Sequence, residues 1–395
     1  VSSAIAGNDG RVTLTMDTHG SRLMTSDGHA PRTFEVAEIE GIYYPATAVI
    51  NGNEITISNM EVNKPRYVRY GWQPFTRANV TNSEGIPTST FAMEVDNASD
   101  YDVEAGMEAG ISAPFAGMLD GRLITAGGCN FPVDPMGPAS TKKFYEGVYA
   151  ADPATMQWQR IGSLPEGMAY GATAPADGGL ILIGGTSATE ALRDVNKLTV
   201  ADGKVTLTPL PQLPAAVDNM AAAAIGSKVY VAGGNVAGKP SRQLFVLDLN
   251  NLNSGWKKLR DMPGNPRVQP AMAAAKDANG EICLYLWGGF AGKHDGKQAT
   301  LETDGLKYTH SKGKWNELPA PVDAQGNAIS TGGGTAATMT DGRRAVAGGV
   351  NKDVFLEALR NQAPDYLQHP IEWYRFNDNV LLFNPATGTW SIDGT

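Results

Sequence analysis

Amide side chains stand beside repeated glycine pairs in this sequence, where they could bind a polar small molecule. Asn130, Asn235 and Asn351 each follow a Gly-Gly pair within two residues. Amides donate hydrogen bonds to hydroxyl groups and accept hydrogen bonds from them, so three amides that line one opening of the fold would suit a sugar. The alternative is that these asparagines satisfy backbone groups in turns, as asparagine does after many glycines.

A second group of candidates stands just before hydrophobic segments. Arg267 and Gln269 lie in Pro266-Arg-Val-Gln-Pro270, and Asn219 and Tyr170 occupy similar positions earlier in the chain. A guanidinium in such a loop can hold a carboxylate with two parallel hydrogen bonds, although a solvated loop arginine is the alternative. Gln269, Asn219 and Tyr170 are predicted sugar contacts.

Two aromatic residues could supply an apolar wall for a bound sugar. Phe131 follows the first glycine pair, and Phe355 lies shortly after the fifth. Each is also a reasonable core residue.

Metal and cofactor chemistry find little support in the sequence. Its five histidines show no His-x-His or His-Glu-x-x-His spacing, and its two cysteines, Cys129 and Cys283, each lie in an apolar run beside a glycine pair. Ligand sets for zinc or copper need several such residues close together. We therefore predict no metal and no cofactor, and two buried cysteines.

Charge and hydropathy exclude further classes of protein. The sequence has 32 Lys and Arg against 41 Asp and Glu, a net charge of −9, with no basic stripe, which argues against nucleic-acid binding. It contains no apolar run long enough to span a membrane. It begins at Val1 rather than Met, so we expect a processed or truncated product.

One sequence motif, a hydrophobic run that ends in Gly-Gly, occurs five times. Its first glycines are 57, 49, 55 and 60 residues apart. The five copies end at Gly127-Gly128, Gly184-Gly185, Gly233-Gly234, Gly288-Gly289 and Gly348-Gly349. A period near 50 residues is typical of kelch repeats, each of which forms one four-stranded blade of a β-propeller.

Tryptophans support the same all-β architecture. Trp158, Trp256, Trp315 and Trp390 follow the glycine pairs in a fixed order. A blade cannot bury both faces alone, so blades stack radially, and we expect each tryptophan to wedge between neighbours. Gly-Gly is predicted to end the inner strand, where a Cβ would obstruct a close approach.

The chain divides into three predicted parts. Residues 1–92 lack the repeat and show alternating strands, with Asn51-Gly52 as a tight turn, which predicts a separate β-sandwich-like unit. Residues 93–110 read as a linker. Residues 111–395 form the propeller.

From Ile111 onward the chain resembles the cyclically permuted form of the bacterial N-acetylneuraminate epimerases, the sialic acid mutarotases. The resembling segments span all five repeats: Ser112-Ala-Pro-Phe-Ala-Gly117, Ala126-Gly-Gly-Cys-Asn-Phe-Pro132, Met168-Ala-Tyr-Gly171, Asp218-Asn-Met220, Pro266-Arg-Val-Gln-Pro270 and Gly348-Gly-Val-Asn-Lys-Asp-Val-Phe355. The resemblance implies six blades, a sialic acid as substrate, interconversion of its α and β anomers, and export to the periplasm or the exterior. The substrate carboxylate is then assigned to Arg267.

Residues 11–91 resemble the C-terminal β portion of a sialate O-acetylesterase. The resembling segments are Phe34-Glu-Val-Ala37, Tyr44-Pro-Ala46, Val68-Arg-Tyr-Gly-Trp-Gln-Pro-Phe75 and Glu84-Gly-Ile-Pro87. The sequence contains no Gly-Asp-Ser turn to carry an esterase nucleophile. Both resemblances nevertheless indicate the processing of acetylated sialic acids.

Mutarotation needs one group to take the anomeric proton and another to protonate the ring oxygen. In the resembling family these groups belong to a Gly-Glu-x-Lys-Pro-Gly-x-Arg segment of a sixth blade. The nearest string here, Val236-Ala-Gly-Lys-Pro-Ser-Arg242, has Ala237 in place of the glutamate. The catalytic residues therefore stay open. The alternatives are a non-catalytic kelch module that binds a glycan or a protein, and an accessory part of an esterase; the sequence does not indicate an oligomeric state.

Overall fold

The computed structural model describes residues 1–7, 10–39, 41–63, 65–97, 107, 110–132, 141–155, 158–323, 325–361, 366 and 369–393. The chain forms two compact units, Val1–Asp102 and Val103–Thr395. Each is described by itself.

The described residues of the first unit form ten strands around one core. They are β1 (Ser3–Ala6), β2 (Val12–Thr15), β3 (Leu23–Thr25), β4 (Phe34–Ala37), β5 (Tyr44–Asn51), β6 (Glu54–Ser58), β7 (Tyr67–Tyr70), β8 (Val80–Asn82), β9 (Phe91–Glu94) and β10 (Asp96–Asn97). Strand order is β10-β1-β2-β6-β5-β4-β7-β9, with β3 and β8 in a separate pair.

Alternation along these strands places one face in the core, as the sequence pattern predicts. In β2, for example, Val12 and Leu14 are fully buried while the intervening threonine is not. Asn51 and Gly52 connect β5 to β6, and Gly52 has φ +66°. Strands β9 and β10 extend this sheet through Asn97, into the segment predicted as a linker; residues 98–106, 108 and 109 of that segment lie outside the described residues.

In the described residues of the second unit, five four-stranded blades form a propeller. The blades, from the axis outward, are β11 (Phe115–Leu119), β12 (Arg122–Ala126), β15 (Gly147–Ala151) and β16 (Trp158–Ser163); β18 (Ala172–Ala176), β19 (Gly179–Ile183), β21 (Val195–Ala201) and β22 (Lys204–Pro209); β24 (Ala221–Ile225), β25 (Lys228–Ala232), β28 (Leu244–Asp248) and β29 (Lys257–Lys258); β30 (Ala271–Lys276), β31 (Ile282–Trp287), β34 (Gly305–Thr309) and β35 (Lys314–Leu318); β36 (Thr335–Thr338), β37 (Arg344–Ala347), β38 (Val380–Asn384) and β39 (Thr389–Asp393).

Short strands and helices decorate one end of the blades. The short strands are β13 (Cys129–Asn130), β14 (Lys143–Phe144), β17 (Met168–Ala169), β20 (Thr186–Ser187), β23 (Val217–Asp218), β26 (Asn235–Val236), β27 (Lys239–Pro240), β32 (Phe290–Ala291) and β33 (Thr300–Leu301). The helices are α1 (Lys352–Asn361) and α2 (Ile371–Tyr374). A 3₁₀ turn, Leu252–Ser254, lies at the opposite end, where it connects β28 to β29.

Each core cluster of the propeller lies between two neighbouring blades. Successive side chains of a strand point to opposite faces, so Leu180 and Leu182 pack against the first blade, and Ile181 and Ile183 pack against the third. This two-sided burial explains why the second strand of each blade is a continuous hydrophobic run. Three tryptophans connect neighbouring blades by hydrogen bonds. The indole N–H groups of Trp256, Trp315 and Trp390 donate to backbone oxygens of the preceding blade.

The strand that ends in Gly-Gly is the second of each blade, not the innermost as the sequence pattern suggested. The innermost strands, β11, β18, β24, β30 and β36, surround an axial cavity of about 560 Å³. Crowding at the axis favours small residues, which explains Ala221-Ala-Ala-Ala224 and the alanines of β30.

The glycine pairs form junctions between blades. The N–H groups of Gly128, Gly185 and Gly234 each donate to a carbonyl of the next blade, at 2.8 Å. A Cβ on the glycine preceding each of them would lie 2.3–2.5 Å from that same oxygen. Only glycine therefore permits this approach.

Candidate functional site

The mouth of the propeller is the end where the five innermost strands begin. Two residues before each strand stands a residue in the left-handed region, with φ from +50° to +79°. These equivalent residues are Ala113, Tyr170, Asn219, Gln269 and Gly333. Their shared position explains why three of them recur before hydrophobic segments in the sequence.

These five residues are joined by their backbones into a belt around the mouth. Four of them, all but Ala113 of the first blade, donate the N–H to the carbonyl of the counterpart in the preceding blade. The distances are 3.0 Å from Tyr170 to Ala113, 2.7 Å from Asn219 to Tyr170, 2.8 Å from Gln269 to Asn219 and 3.0 Å from Gly333 to Gln269. The belt brings Tyr170, Asn219 and Gln269 together at one rim.

A chain of polar side chains runs along this rim. Gln269 donates to Asn219 Oδ1 at 2.6 Å, and Asn219 donates to Asp218 Oδ1 at 2.6 Å. Asn235, opposite Asp218 across the β23–β26 pair, donates to the same oxygen at 2.7 Å. Three of the predicted amides, Asn219, Asn235 and Gln269, are therefore organised around a carboxylate that the sequence analysis did not select.

A cation lies on the neighbouring part of the rim. Lys142 Nζ donates to the Tyr170 hydroxyl at 2.8 Å and stands 4.8 Å from that ring and 5.4 Å from the centre of the Phe131 ring. Among the described residues, no carboxylate lies within ion-pair distance of Lys142. Burial raises the pKa of Tyr170, with Cys129 also contributing to the shift, so the phenol is protonated at neutral pH.

Asn130 lies in the same blade as Lys142. Its amide donates to the backbone oxygen of Gly110, at 2.8 Å, and its carbonyl accepts from the Tyr145 hydroxyl, at 2.7 Å. These bonds hold the amide in place beside Phe131, which is partly buried.

Arg267 does not present its guanidinium to the mouth, which corrects the sequence-based assignment of the substrate carboxylate to this residue. The side chain is 1% exposed and makes two hydrogen bonds to Asp304, at 2.6 and 2.7 Å, and a third to the Gly288 carbonyl, at 3.0 Å. The sequence does not indicate this ion pair, because the carboxylate partner, Asp304, lies 37 residues further along the chain.

Asn351 and Phe355 serve the insertion in the fifth blade. Asn351 Oδ1 accepts from the N–H groups of Asp353 and Val354, so it caps α1, as the turn alternative anticipated. Phe355, on α1, meets Phe290 of the fourth blade edge to face, with ring centres 4.9 Å apart. Neither residue is brought to the chain of polar side chains around Asp218.

The string closest to the family's catalytic segment forms a hairpin at the rim. Strands β26 and β27 pair across Ala237 and Gly238, whose φ values are +50° and +77°. This tight turn carries no acidic side chain. Lys239 beyond it pairs with Asp295 at 3.1 Å.

Sequence reasoning missed Asp218 and Lys142. Asp218 had a usable signal, because it directly precedes Asn219 at the recurring position. Lys142 had none, since its neighbourhood comes from Tyr170 and Phe131, which are distant from it in the chain. Among the described residues, no three His, Cys, Asp or Glu side chains are grouped so as to hold a metal ion. No helix in the described part of the chain is long and apolar enough to cross a membrane.

Comparison with known proteins places this architecture in a family. The family described as N-acetylneuraminate epimerase matches residues 89–207 and 210–395. The chain belongs to the N-acetylneuraminate epimerase family. The match begins within the first unit and continues through all five blades.

Individual members of the N-acetylneuraminate epimerase family show the same relationship. An N-acetylneuraminate epimerase of Brucella suis is 32% identical over 199 residues, covering 47% of this chain and 48% of the relative. One from Haemophilus influenzae is 28% identical over 191 residues, with the same coverage. A kelch domain-containing protein of Vibrio cholerae is 27% identical over 205 residues, covering 47% of this chain and 52% of the relative.

The chain spans about half the length of the curated relatives it matches. A solved structure of YjhT is similar in fold, with a TM-score of 0.54 and 14% identity, covering 93% of this chain and 98% of that one. The fold is thus the all-β, kelch-type propeller that the repeat predicted.

Proposed function

We propose that this protein interconverts the anomers of N-acetylneuraminate at the mouth of its propeller. Family membership supports the choice of substrate and reaction. The observation that carries the proposal is the combination at one rim of an ammonium without a carboxylate partner among the described residues, an aromatic wall and ordered amides. A sialic acid offers the matching groups: a carboxylate, an apolar methyl of the N-acetyl group, and several hydroxyls.

Lys142 takes the role that the sequence analysis gave to Arg267. Its ammonium is held between Tyr170 and Phe131, so it can meet a carboxylate at a defined position. Asn219, Asn235 and Gln269 are placed to contact hydroxyl groups, and the reaction proposed here requires no cofactor.

Exchange NMR tests this function. We expect the chain to accelerate the α-to-β exchange of N-acetylneuraminate at a pH where the spontaneous rate is low. Lys142→Met should weaken sugar binding at least about tenfold, since a charge-assisted hydrogen bond is lost. Lys143→Met is the matched control, because Lys143 is the next residue and its ammonium lies 4.9 Å from the Tyr145 ring.

A second candidate is a non-catalytic glycan-binding module, favoured by Ala237 at the position of the family's glutamate. The same NMR experiment separates the two functions. Broadened sugar signals without faster exchange would indicate binding alone. If the sugar signals show neither broadening nor faster exchange, both functions are excluded.

The first unit is proposed to be an accessory part of a sialic-acid-processing protein associated with O-acetylesterase activity. Its resemblance to the C-terminal portion of a sialate O-acetylesterase supports this role, as well as a periplasmic or secreted location. With no Gly-Asp-Ser turn in the sequence, we assign no ester hydrolysis to this unit.

A further inference from the structure

Asp218 differs from Asp248 of the same blade and from Asp304 of the next blade because its hydrogen-bond partners are neutral. Its Oδ1 accepts from the amides of Asn219 and Asn235, whereas Asp304 is paired with Arg267 and Asp248 with Lys228. Among the described residues, no Lys or Arg nitrogen lies within 4 Å of Asp218, and its Oδ2 has no hydrogen-bond donor.

Three neighbouring contacts fix this carboxylate in orientation. Asp218 lies in β23, which pairs with β26 so that Asp218 and Asn235 are opposite each other. The second donor, Asn219, is itself held by Gln269. A Cβ on Gly234 would lie 2.5 Å from the Asp218 carbonyl, so the glycine is what allows β26 to approach so closely.

Such an arrangement anchors one oxygen and leaves the other available. An amide donor fixes the orientation of a carboxylate, and it lowers the basicity of that carboxylate less than a paired cation would. Holding a reactive group by supporting hydrogen bonds is how catalytic side chains are kept in a productive geometry. At this rim, the group so held is partly buried and adjacent to Asn219 of the belt.

We propose that Asp218 is the catalytic base of the anomer interconversion, which rests on the function proposed above. Oδ2 takes the proton of the anomeric hydroxyl, and the O–H electron pair forms the carbonyl as the bond from the anomeric carbon to the ring oxygen breaks. That bonding pair stays with the ring oxygen, which takes a proton from a bridging water. The water recovers a proton from Asp218, so the carboxylate is restored.

Ring closure on the other face reverses these transfers. Opening and closure each move one proton between the anomeric and ring oxygens, with Asp218 and one water as carriers, and the net change is the inverted configuration of the anomeric carbon. No net charge develops on the protein over a full cycle. Asp218 therefore supplies, from the third blade, the base that the family's glutamate segment supplies elsewhere.

The experiment compares Asp218→Asn with the native chain by exchange NMR and by sugar titration. We expect the exchange rate to fall at least about 100-fold while the sugar dissociation constant changes less than about threefold. Asp218→Glu should recover part of the rate.

Asp295→Asn is the matched control, because Asp295 is an exposed acid that is paired with Lys239 of the neighbouring hairpin. It should leave the rate unchanged. An Asp218→Asn variant that folds and keeps the native rate would overturn the role of Asp218 and leave the proposed function standing. Loss of binding in that variant would make Asp218 a binding residue and overturn proton transfer. A native chain that binds the sugar without accelerating exchange would overturn both.

Discussion

Arg267 and Lys142 show how the surroundings of a cation decide what it can bind. The guanidinium of Arg267 donates hydrogen bonds to Asp304 and to the Gly288 carbonyl, and the side chain is buried between the third and fourth blades. Lys142 lies against aromatic rings and has only a neutral hydroxyl as its hydrogen-bond acceptor among the described residues. The first is a structural ion pair, and the second remains available for an anion.

Arg267→Ala should therefore lower stability instead of specifically removing sugar affinity. The change takes away three hydrogen bonds of a buried charged group, so we expect a loss of about 2 kcal/mol in the free energy of unfolding. Thermal denaturation followed by circular dichroism measures it. Arg242→Ala is the control, because Arg242 is exposed and makes one long contact, 3.5 Å, to Gly264. Native stability combined with lost sugar binding would restore the sequence-based assignment.

At the scale of the elements, the glycine junctions hold the rim residues of one blade against the next. Gly234 has φ +76°, and its N–H donates to the Arg267 carbonyl while its α-carbon faces Asp218. Gly238, at the tip of the nearby hairpin, has φ +77° with no atom within 4 Å of a built Cβ. The two positions share a backbone conformation and differ in their surroundings.

Gly234→Ala and Gly238→Ala separate those two effects. Gly238→Ala should cost about 1 kcal/mol, from the left-handed backbone alone. Gly234→Ala should cost about 2 kcal/mol more, because the new methyl meets backbone atoms. Chemical denaturation of both variants measures the difference, and equal losses would show that the junction yields to a Cβ.

A buried tyrosine and a partly buried histidine link the third and fourth blades. The Tyr230 hydroxyl lies 2.9 Å from His310 Nδ1, and burial, followed by the nearby Lys228 charge, lowers the pKa of His310. The unfolded chain then binds a proton more readily than the folded one as the pH falls below about 6.5. Stability from this site is complete above that pH and is lost on acidification.

We therefore expect the melting temperature to decline from pH 7 to pH 5, and the decline to be smaller in His310→Gln. Calorimetry across that range tests the linkage. His29→Gln is the control, since His29 is exposed in the first unit. An unchanged slope in His310→Gln would show that other groups cause the acid sensitivity.

For the whole molecule, the repeat predicted what depends on short local patterns. The glycine pairs and tryptophans indicated the blades because their contacts recur at equivalent points. The glycine junction is found at the first three pairs, and the indole hydrogen bond is found in the third, fourth and fifth blades. The prediction that the strand ending in Gly-Gly is the innermost was wrong, since Gly-Gly is a more conspicuous pattern than the alanines that line the axis. Contacts that depend on how separate loops meet could not be predicted from the sequence. They include the pairing of Arg267 with Asp304 and the grouping of Lys142 with Tyr170 and Phe131.

The belt of left-handed residues restricts how this mouth can diversify. Each belt residue has a positive φ, and the hydrogen bonds of the belt join backbone atoms alone, so a side chain can be exchanged without breaking those four bonds. β-Branched residues are strongly disfavoured in that conformation, whereas Asn, Asp and Gly tolerate it best. A library of altered sugar specificities built on Tyr170, Asn219 and Gln269 would therefore be richest when Val, Ile and Thr are left out at these three positions.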